Sequence, residues 1–471
     1  MKALMVLFAL IIASPFAHAD RARLLADDKE ALQARVDLIQ QAKSEIYVEY
    51  FSVWKDDQSI AGISLLLDAA RRGVKVKMVI DALANKIPKA YFATMIEQGT
   101  DAKGNVNIEF RLYNPFTLNL HKLTRRDHSK LLIVDGEKMI TGGRNVGDKY
   151  FGFGKKRNFK DLDIILDGPA VQAARADFLA VFKSKIVKNP IFERNLPAKV
   201  ALEVCEQQLD RDQQLCEKRK KFTLKLYDEA LQRLEISLGK IIDGTHEQFV
   251  QSNTGNDWLA DRPDNSDIEF LSHKPDELVT KKTAYMSHAL MKIANTAEKE
   301  LNIMSPYLIP TKEVLAIMQE LIFRGVKIRM VTNSVLSTDN FFAQAAYLAV
   351  KKSMIDMGVE IYEYNGPDTA HGKAFVIDNK IAFVGSFNLD PRSLFLNREV
   401  GVVIRNSPEL VNELNAEIES FRQDSLLVAQ DGRAQNEEEQ AARLKSLLSK
   451  GKKALLALIK LFVPVFKNQV Y

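Results

Sequence analysis

His128 to Asn145 reads HSKLLIVDGEKMITGGRN, and His371 to Asn388 reads HGKAFVIDNKIAFVGSFN. Laid over one another, the stretches match His128 with His371, Lys130 with Lys373, Asp135 with Asp378, Gly142 with Gly385 and Asn145 with Asn388. One His-x-Lys-x4-Asp run is a weak signal, because about a few per cent of chains this long would carry it by accident. Two runs with the same downstream Gly and Asn are a strong one. The apolar segments after each lysine read as strands, where alternate residues point to the same face. Each histidine and its lysine can therefore project together into one cleft.

Working outward, the duplication extends well beyond the motif. Arg72 to Val79 (RGVKVKMV) returns as Arg324 to Val331 (RGVKIRMV), and Ile108 to Asn114 (IEFRLYN) is echoed by Val359 to Asn365 (VEIYEYN). Each RGV copy ends an amphipathic helical stretch and opens a β-branched, strand-like run. A repeat of this size implies two similar domains rather than a solenoid. The expected fold is α/β: two units, each a mixed β-sheet flanked by helices, packed as a pseudo-dimer around one shared site. The first unit is placed at residues 20–190 and the second at 255–425. Residues 191–254, poor in Gly and Pro, read as a helical insertion or connector.

The remainder of the chain suggests location and partners. A hydrophobic fraction of 46% and a charged fraction of 27% belong to a globular protein and exclude wholesale disorder. The formal charge of +5 favours anionic partners without choosing between lipid phosphate and nucleic acid. Lys2, the apolar Ala3 to Ala13 and the small-x-small Ala17-His18-Ala19 read as a secretory signal peptide over residues 1–19. The expected location is periplasmic or secreted, peripheral to a membrane. Cys205 and Cys216 would then form a local disulfide. Residues 426–471 read as a polar linker and a tail. In the tail, Leu444, Leu447, Leu448, Leu455, Leu458, Ile459 and Phe462 share a helical face, and Lys445, Lys450, Lys453 and Lys460 lie elsewhere. A basic amphipathic helix of this kind suits a membrane surface.

The duplicated motif resembles the signature of the phospholipase D superfamily. Within that superfamily the chain is most similar to bacterial cardiolipin synthases. The supporting stretches are Tyr113-Asn114-Pro115-Phe116, Gly142 to Gly152, Asp161-Leu162-Asp163, Ser305 to Pro310 and Asn388 to Glu399. The resemblance implies two-step phosphoryl transfer without a metal or other cofactor. One histidine attacks phosphorus to give a covalent phosphohistidine, and the other protonates the departing alkoxide and then serves as base. Family analogy makes His128 the nucleophile and His371 the acid and base. The motif set is His128, Lys130, Asp135, His371, Lys373 and Asp378, with Asp135 and Asp378 expected to brace the motif rather than touch substrate. Lys130, Lys373, Asn145 and Asn388, with the small Gly143 and Ser386, are expected to hold the phosphate. In the family a carboxylate further along the chain orients each histidine. Aligning the strands Ile164-Ile165-Leu166 and Val402-Val403-Ile404 places Asp161 opposite Glu399 in that role.

Other residues carry less. His121 has no ligand set around it, so no metal site is expected there. His246, His273 and His288 have no matched partners and read as surface or packing residues. Lys122, Arg125 and Arg126, just before His128, form either a headgroup-binding patch or a solvated basic loop. The leading expectation is a phosphatidyltransferase that makes cardiolipin, with phosphatidylglycerol as donor. The alternatives are a secreted phospholipase D yielding phosphatidic acid, a metal-independent nuclease, with nucleic acid the less favoured partner, and a membrane-binding module without catalysis. The intact histidines and lysines in both copies weigh against the last of these.

Overall fold

The computed structural model describes residues 19–115, 118–189, 210–243, 256–274 and 277–429. The proposed signal peptide up to residue 18, Cys205, His246 and the basic tail lie outside the described residues, as does the side chain of Cys216.

The duplicated Arg-Gly-Val segments set the pattern of both units. Gly73 and Gly325 have φ of +96° and +84°, a left-handed conformation that costs glycine little. Each stops a helix and turns the chain into a buried strand. The first unit runs β1 (Arg21–Leu25), α1 (Asp28–Gln41), β2 (Glu45–Tyr50), α2 (Asp57–Arg71), β3 (Lys75–Asp81), α3 (Lys89–Gln98), β4 (Ile108–Tyr113), α4 (Leu120–Leu123), β5 (Lys130–Val134) and β6 (Lys138–Gly142). It continues with β7 (Phe159–Lys160), β8 (Asp163–Asp167), α5 (Pro169–Lys183) and β9 (Val187–Lys188). A long helix, α6 (Asp210–Ile242), follows and packs on α2 and α3.

The second unit repeats the order: β10 (Asp267–Ser272), α7 (Tyr285–Ala294), β11 (Glu300–Met304), α8 (Lys312–Phe323), β12 (Lys327–Asn333), α9 (Phe341–Met357), β13 (Glu360–Tyr364) and β14 (Thr369–Ala370). Then come β15 (Ala374–Ile377), β16 (Ile381–Gly385), α10 (Pro391–Phe395), β17 (Val400–Arg405), α11 (Pro408–Gln423) and β18 (Ser425–Leu427).

Each unit forms one eight-stranded mixed sheet. The strand orders are β1-β8-β6-β5-β2-β3-β4-β9 and β10-β17-β16-β15-β11-β12-β13-β18, the same arrangement position by position. One layer of each sheet packs against its own helices. The other layer is shared: Ile164, Leu166 and Phe178 of the first unit join Met304, Val402 and Leu414 of the second in one buried cluster. Apolar surface from both units is thus buried in a single core, which favours their association. The short strands β7 and β14 pair in parallel across the seam, Thr369 with Phe159 and Ala370 with Lys160. This pairing brings the two histidine segments together.

Candidate active site

β2 and β11 lie centrally in their sheets, antiparallel to β5 and β15. The segments entering β5 and β15 therefore meet where β2 and β11 end, and each is stitched to the opposite unit. The His128 N–H donates to the Arg398 carbonyl at 2.8 Å, and the Arg398 N–H returns a bond to the Arg126 carbonyl at 2.8 Å. On the other side the His371 N–H donates to the Lys160 carbonyl at 2.7 Å. The next residues, Glu399 and Asp161, are consequently delivered beside the histidine of the other unit. Glu399 Oε2 lies 2.9 Å from His128 Nδ1, and the Ser386 carbonyl lies 3.1 Å from the same nitrogen. Asp161 Oδ2 makes a short contact with His371 Nδ1. The carboxylates thus cross: each serves the histidine of the other unit, not the one it follows in its own copy. The seam pairing dictates this.

Both histidines are buried, and burial is the main cause of their low basicity. His128 is pushed down to about 4 by burial, against the pull of Glu399 and with Lys130 and Lys373 adding to the effect. Burial, then Lys373, lowers His371, with Asp161 opposing. Lys130 is pushed down to about 7 by burial, and it feels Glu399, Lys373 and Asp161 together. Burial also lowers Lys373. Burial alone would raise Glu399 and Asp161. Glu399 is instead held below its ordinary value by His128 and Lys130, and Asp161 by Lys373 and His371. The six groups form one electrostatic cluster. Lys130 Nζ donates to the His128 carbonyl and Lys373 Nζ to the His371 carbonyl. Lys373 Nζ also lies 2.7 Å from His371 Nδ1 and 3.4 Å from Nε2.

The small positions of the motif have a different task from the one expected. A Cβ at Gly143 would fall 1.9 Å from Asp161 Oδ1, so glycine makes room for the carboxylate. Its counterpart Ser386 donates to Glu399 Oε2 at 2.5 Å. Both tend the orienting carboxylates rather than an open phosphate site. Asn145 is engaged inside its own unit: Oδ1 accepts from Ser52 N at 3.2 Å, and Nδ2 donates to the Tyr150 hydroxyl at 2.9 Å. Asn388 Oδ1 is buried with no partner among the described residues.

Asp135 and Asp378, grouped with the catalytic motif by spacing, lie at the far end of β5 and β15. Five residues of strand put Asp135 about 16 Å from Lys130. Its carboxylate accepts the N–H groups of Lys43, Ser44 and Glu45, and Asp378 accepts those of Glu298, Lys299 and Glu300. They brace the turns that open β2 and β11. The basic run before His128 is largely structural as well. Arg126 is buried on Asp81 at 2.8 Å and Arg125 Nε donates to the Val279 carbonyl, whereas Lys122 is exposed. Residue typing missed Asp127 and Arg398, which precede His128 and Glu399 in the chain, Ser393, which bonds Glu399, and Glu49, which bonds Arg398. Ser393 Oγ donates to Glu399 Oε1 at 2.6 Å. The one signal for Arg398 was the matched basic-acidic dipeptide, Lys160-Asp161 and Arg398-Glu399. Among the described residues no group of His, Cys, Asp and Glu could hold a metal ion.

A family model described as "Cardiolipin synthase, PLD-like domain" matches residues 36–182 and 290–422, one segment in each unit. The chain belongs to the phospholipase D-like family. It is 31% identical over 410 residues to cardiolipin synthase C of Escherichia coli (strain K12), covering 80% of each chain. It is 25% identical over 391 residues to cardiolipin synthase 2 of Bacillus anthracis, covering 82% of this chain and 62% of that protein. The crystal structure of phosphatidylserine synthase from Haemophilus influenzae Rd KW20 superposes with a TM-score of 0.62 over 96% of each chain. At 14% identity that likeness shows the fold alone. As a member of the phospholipase D-like family, the chain is an enzyme with one active site built from two motif copies.

Proposed function

We propose that this phospholipase D-like enzyme is a phosphatidyltransferase of the cardiolipin synthase type, acting through a covalent phosphohistidine. Its main support is the crossed pair of histidines. A carboxylate on Nδ1 holds each ring with its Nε2 lone pair available. Burial keeps both rings neutral, and two lysines stand beside them to neutralise phosphate oxygens.

In the first step His128 Nε2 forms a bond to phosphorus as the bond to the headgroup oxygen breaks, and His371 gives that oxygen its proton. His371 must be charged for this. In the resting site Lys373 rests against its ring and opposes protonation. An arriving phosphate draws the ammonium to itself and lets His371 take up a proton beside Asp161. In the second step the hydroxyl of a second phospholipid loses its proton to His371 and attacks phosphorus, and the phosphorus–nitrogen bond breaks. With phosphatidylglycerol as donor and acceptor, the products are cardiolipin and glycerol.

The names of the relatives support a phospholipid substrate over nucleic acid. The leader-like start of the chain and the basic amphipathic tail support an exported enzyme held at a membrane surface. No helix among the described residues is long and apolar enough to cross a membrane. The test is product analysis by mass spectrometry, with phosphatidylglycerol vesicles and His128→Ala and His371→Ala as controls. Cardiolipin and glycerol, absent in both controls, are expected. Phosphatidic acid alone would make water the acceptor and overturn the transferase reading.

A further inference from the structure

The two halves of the site match in their histidines, lysines and carboxylates, but not in what lies behind them. Behind His371 stand Met304 and Ala370, with Gly372 in the motif. The matching positions behind His128 are Glu49, Asp127 and Ser129. Lys160, which precedes Asp161, reaches a half-exposed ion pair with Asp28 at 2.8 Å. Its counterpart Arg398 is 1% exposed and crosses the seam. There Nε donates to Glu49 Oε1 at 2.8 Å, Nη1 to the His273 carbonyl at 2.7 Å, and Nη2 to Asp177 Oδ2. Asp127 sits beside them, 0% exposed, as is Glu49.

Three carboxyl groups thus surround one buried guanidinium, in an interior that does not favour two uncompensated negative charges. Glu49 and Asp177 each bond the guanidinium directly. Asp127 has no bond to it: Oδ1 accepts from Ser129 N at 3.1 Å, and Oδ2 is buried with no partner among the described residues. Glu49 Oε2 is buried and unpartnered in the same way.

We propose that Asp127 is a neutral carboxylic acid coupled to Glu49 through Arg398, and that this one-sided pair is a positioning device that keeps negative charge away from His128. The other charged and titratable groups around Asp127 are Arg126 and Asp81, whose Oδ2 accepts the Asp127 N–H at 3.0 Å, with Tyr113 on β4 and Lys130 on β5. Burial, with Glu49 adding to it, holds Asp127 well above the usual carboxylate range. An ionised Asp127, one residue before the nucleophile, would oppose the approach of an anionic phosphodiester. The same proton leaves the Arg398 charge to Glu49 and Asp177, and so keeps the seam that delivers Glu399. The matching positions behind His371 hold Met304 and Ala370, and that ring is lowered by burial first and then by Lys373.

The chemical consequence is a protonated Asp127 that responds to what stands at position 49. Infrared spectroscopy of the full chain at neutral pH should contain a carboxylic-acid C=O stretch that Asp127→Asn removes. Glu49→Gln takes one anion from Arg398 and so lets Asp127 ionise. In that variant the band's midpoint should move to lower pH. A midpoint unchanged by Glu49→Gln, or no band sensitive to Asp127→Asn, would overturn the proposal.

The kinetic arm rests on the transferase reading. Glu49→Gln should raise KM for phosphatidylglycerol several-fold with a smaller change in kcat, and the double variant with Asp127→Asn should restore KM. A purely structural role for Glu49 predicts no such rescue, and its absence also overturns the pairing. A wild-type chain inactive on this lipid counts against the transferase reading alone, because the infrared band still decides the proton.

Discussion

Glu399 of the second unit holds Nδ1 of His128 in the first at 2.9 Å, and Asp161 of the first unit holds His371 in the second. Neither unit contains a complete catalytic half-site, since the histidine comes from one chain segment and its orienting carboxylate from the other. If the reaction runs through the proposed phosphohistidine, this exchange separates its two steps experimentally. With a phosphodiester carrying an activated leaving group, departure needs no proton from His371. Asp161→Asn should then still accumulate phosphohistidine, whereas Glu399→Gln should slow its formation by about two to four orders of magnitude, the usual scale for a lost orienting carboxylate. Rapid-quench detection of the phosphoprotein reads this directly. Equal losses in both variants would contradict the crossed assignment.

Lys130 gives the site a pH limit. Burial pushes its ammonium down to about 7, so the free enzyme loses this positive charge as pH rises through neutrality. Below that range the charge is present and phosphate binding is favoured; above it binding weakens. The expected profile of kcat/KM falls on its alkaline side with an apparent pKa of about 7. Lys130→Arg, whose guanidinium stays charged, should flatten this limb while lowering kcat, because the forked group does not fit a position built for an ammonium. An unchanged alkaline limb in the arginine variant would assign the titration elsewhere.

Asp135 separates the structural part of the motif from the chemical part. It has φ of +55° and accepts a fan of backbone N–H groups at the opening of β2. Asp135→Ala removes those bonds and places alanine in a left-handed conformation. The expected loss of stability is about 1–3 kcal/mol. Turnover per folded molecule should stay close to wild type. Thermal unfolding and kcat measured on the same preparation check both statements, and a collapse of kcat without a fall in Tm would return Asp135 to the catalytic set.

These contrasts show which parts of the molecule could be read from the chain. The histidine and lysine of each motif lie two residues apart where the chain enters β5 or β15, so local spacing was enough to place them together. The duplicated Arg-Gly-Val segments likewise reported a helix stop and a strand start, which are local events. Which carboxylate serves which histidine is decided by β7 and β14 pairing across the seam. No spacing within one copy records that. Gly143 and Ser386 looked like phosphate-binding positions because small residues permit close approach. What approaches them is Asp161 and Glu399. The Arg398 cluster was invisible for the same reason, because Glu49 and Asp177 are far from Arg398 in sequence and meet it only when the units dock.

The last prediction follows from the same pair of small residues. Gly143 and Ser386 occupy matched places, yet their tolerances should differ sharply. Alanine at Gly143 would put its Cβ 1.9 Å from Asp161 Oδ1, with the whole carboxylate close behind, so Asp161 must leave its place against His371. Gly143→Ala should therefore behave like loss of Asp161 itself, lowering kcat on phosphatidylglycerol by about two orders of magnitude or more. Ser386→Ala removes one hydrogen bond from Glu399, which still keeps Ser393 Oγ and His128 as partners. A single hydrogen bond to a charged acceptor contributes roughly 1.5–3 kcal/mol, and the redundancy should hold the loss in kcat to about tenfold. Steady-state kinetics on the two alanine variants, with circular dichroism to verify folding, tests the contrast. If Gly143→Ala kept full activity, Asp161 would have to orient His371 from a position other than the one it occupies here.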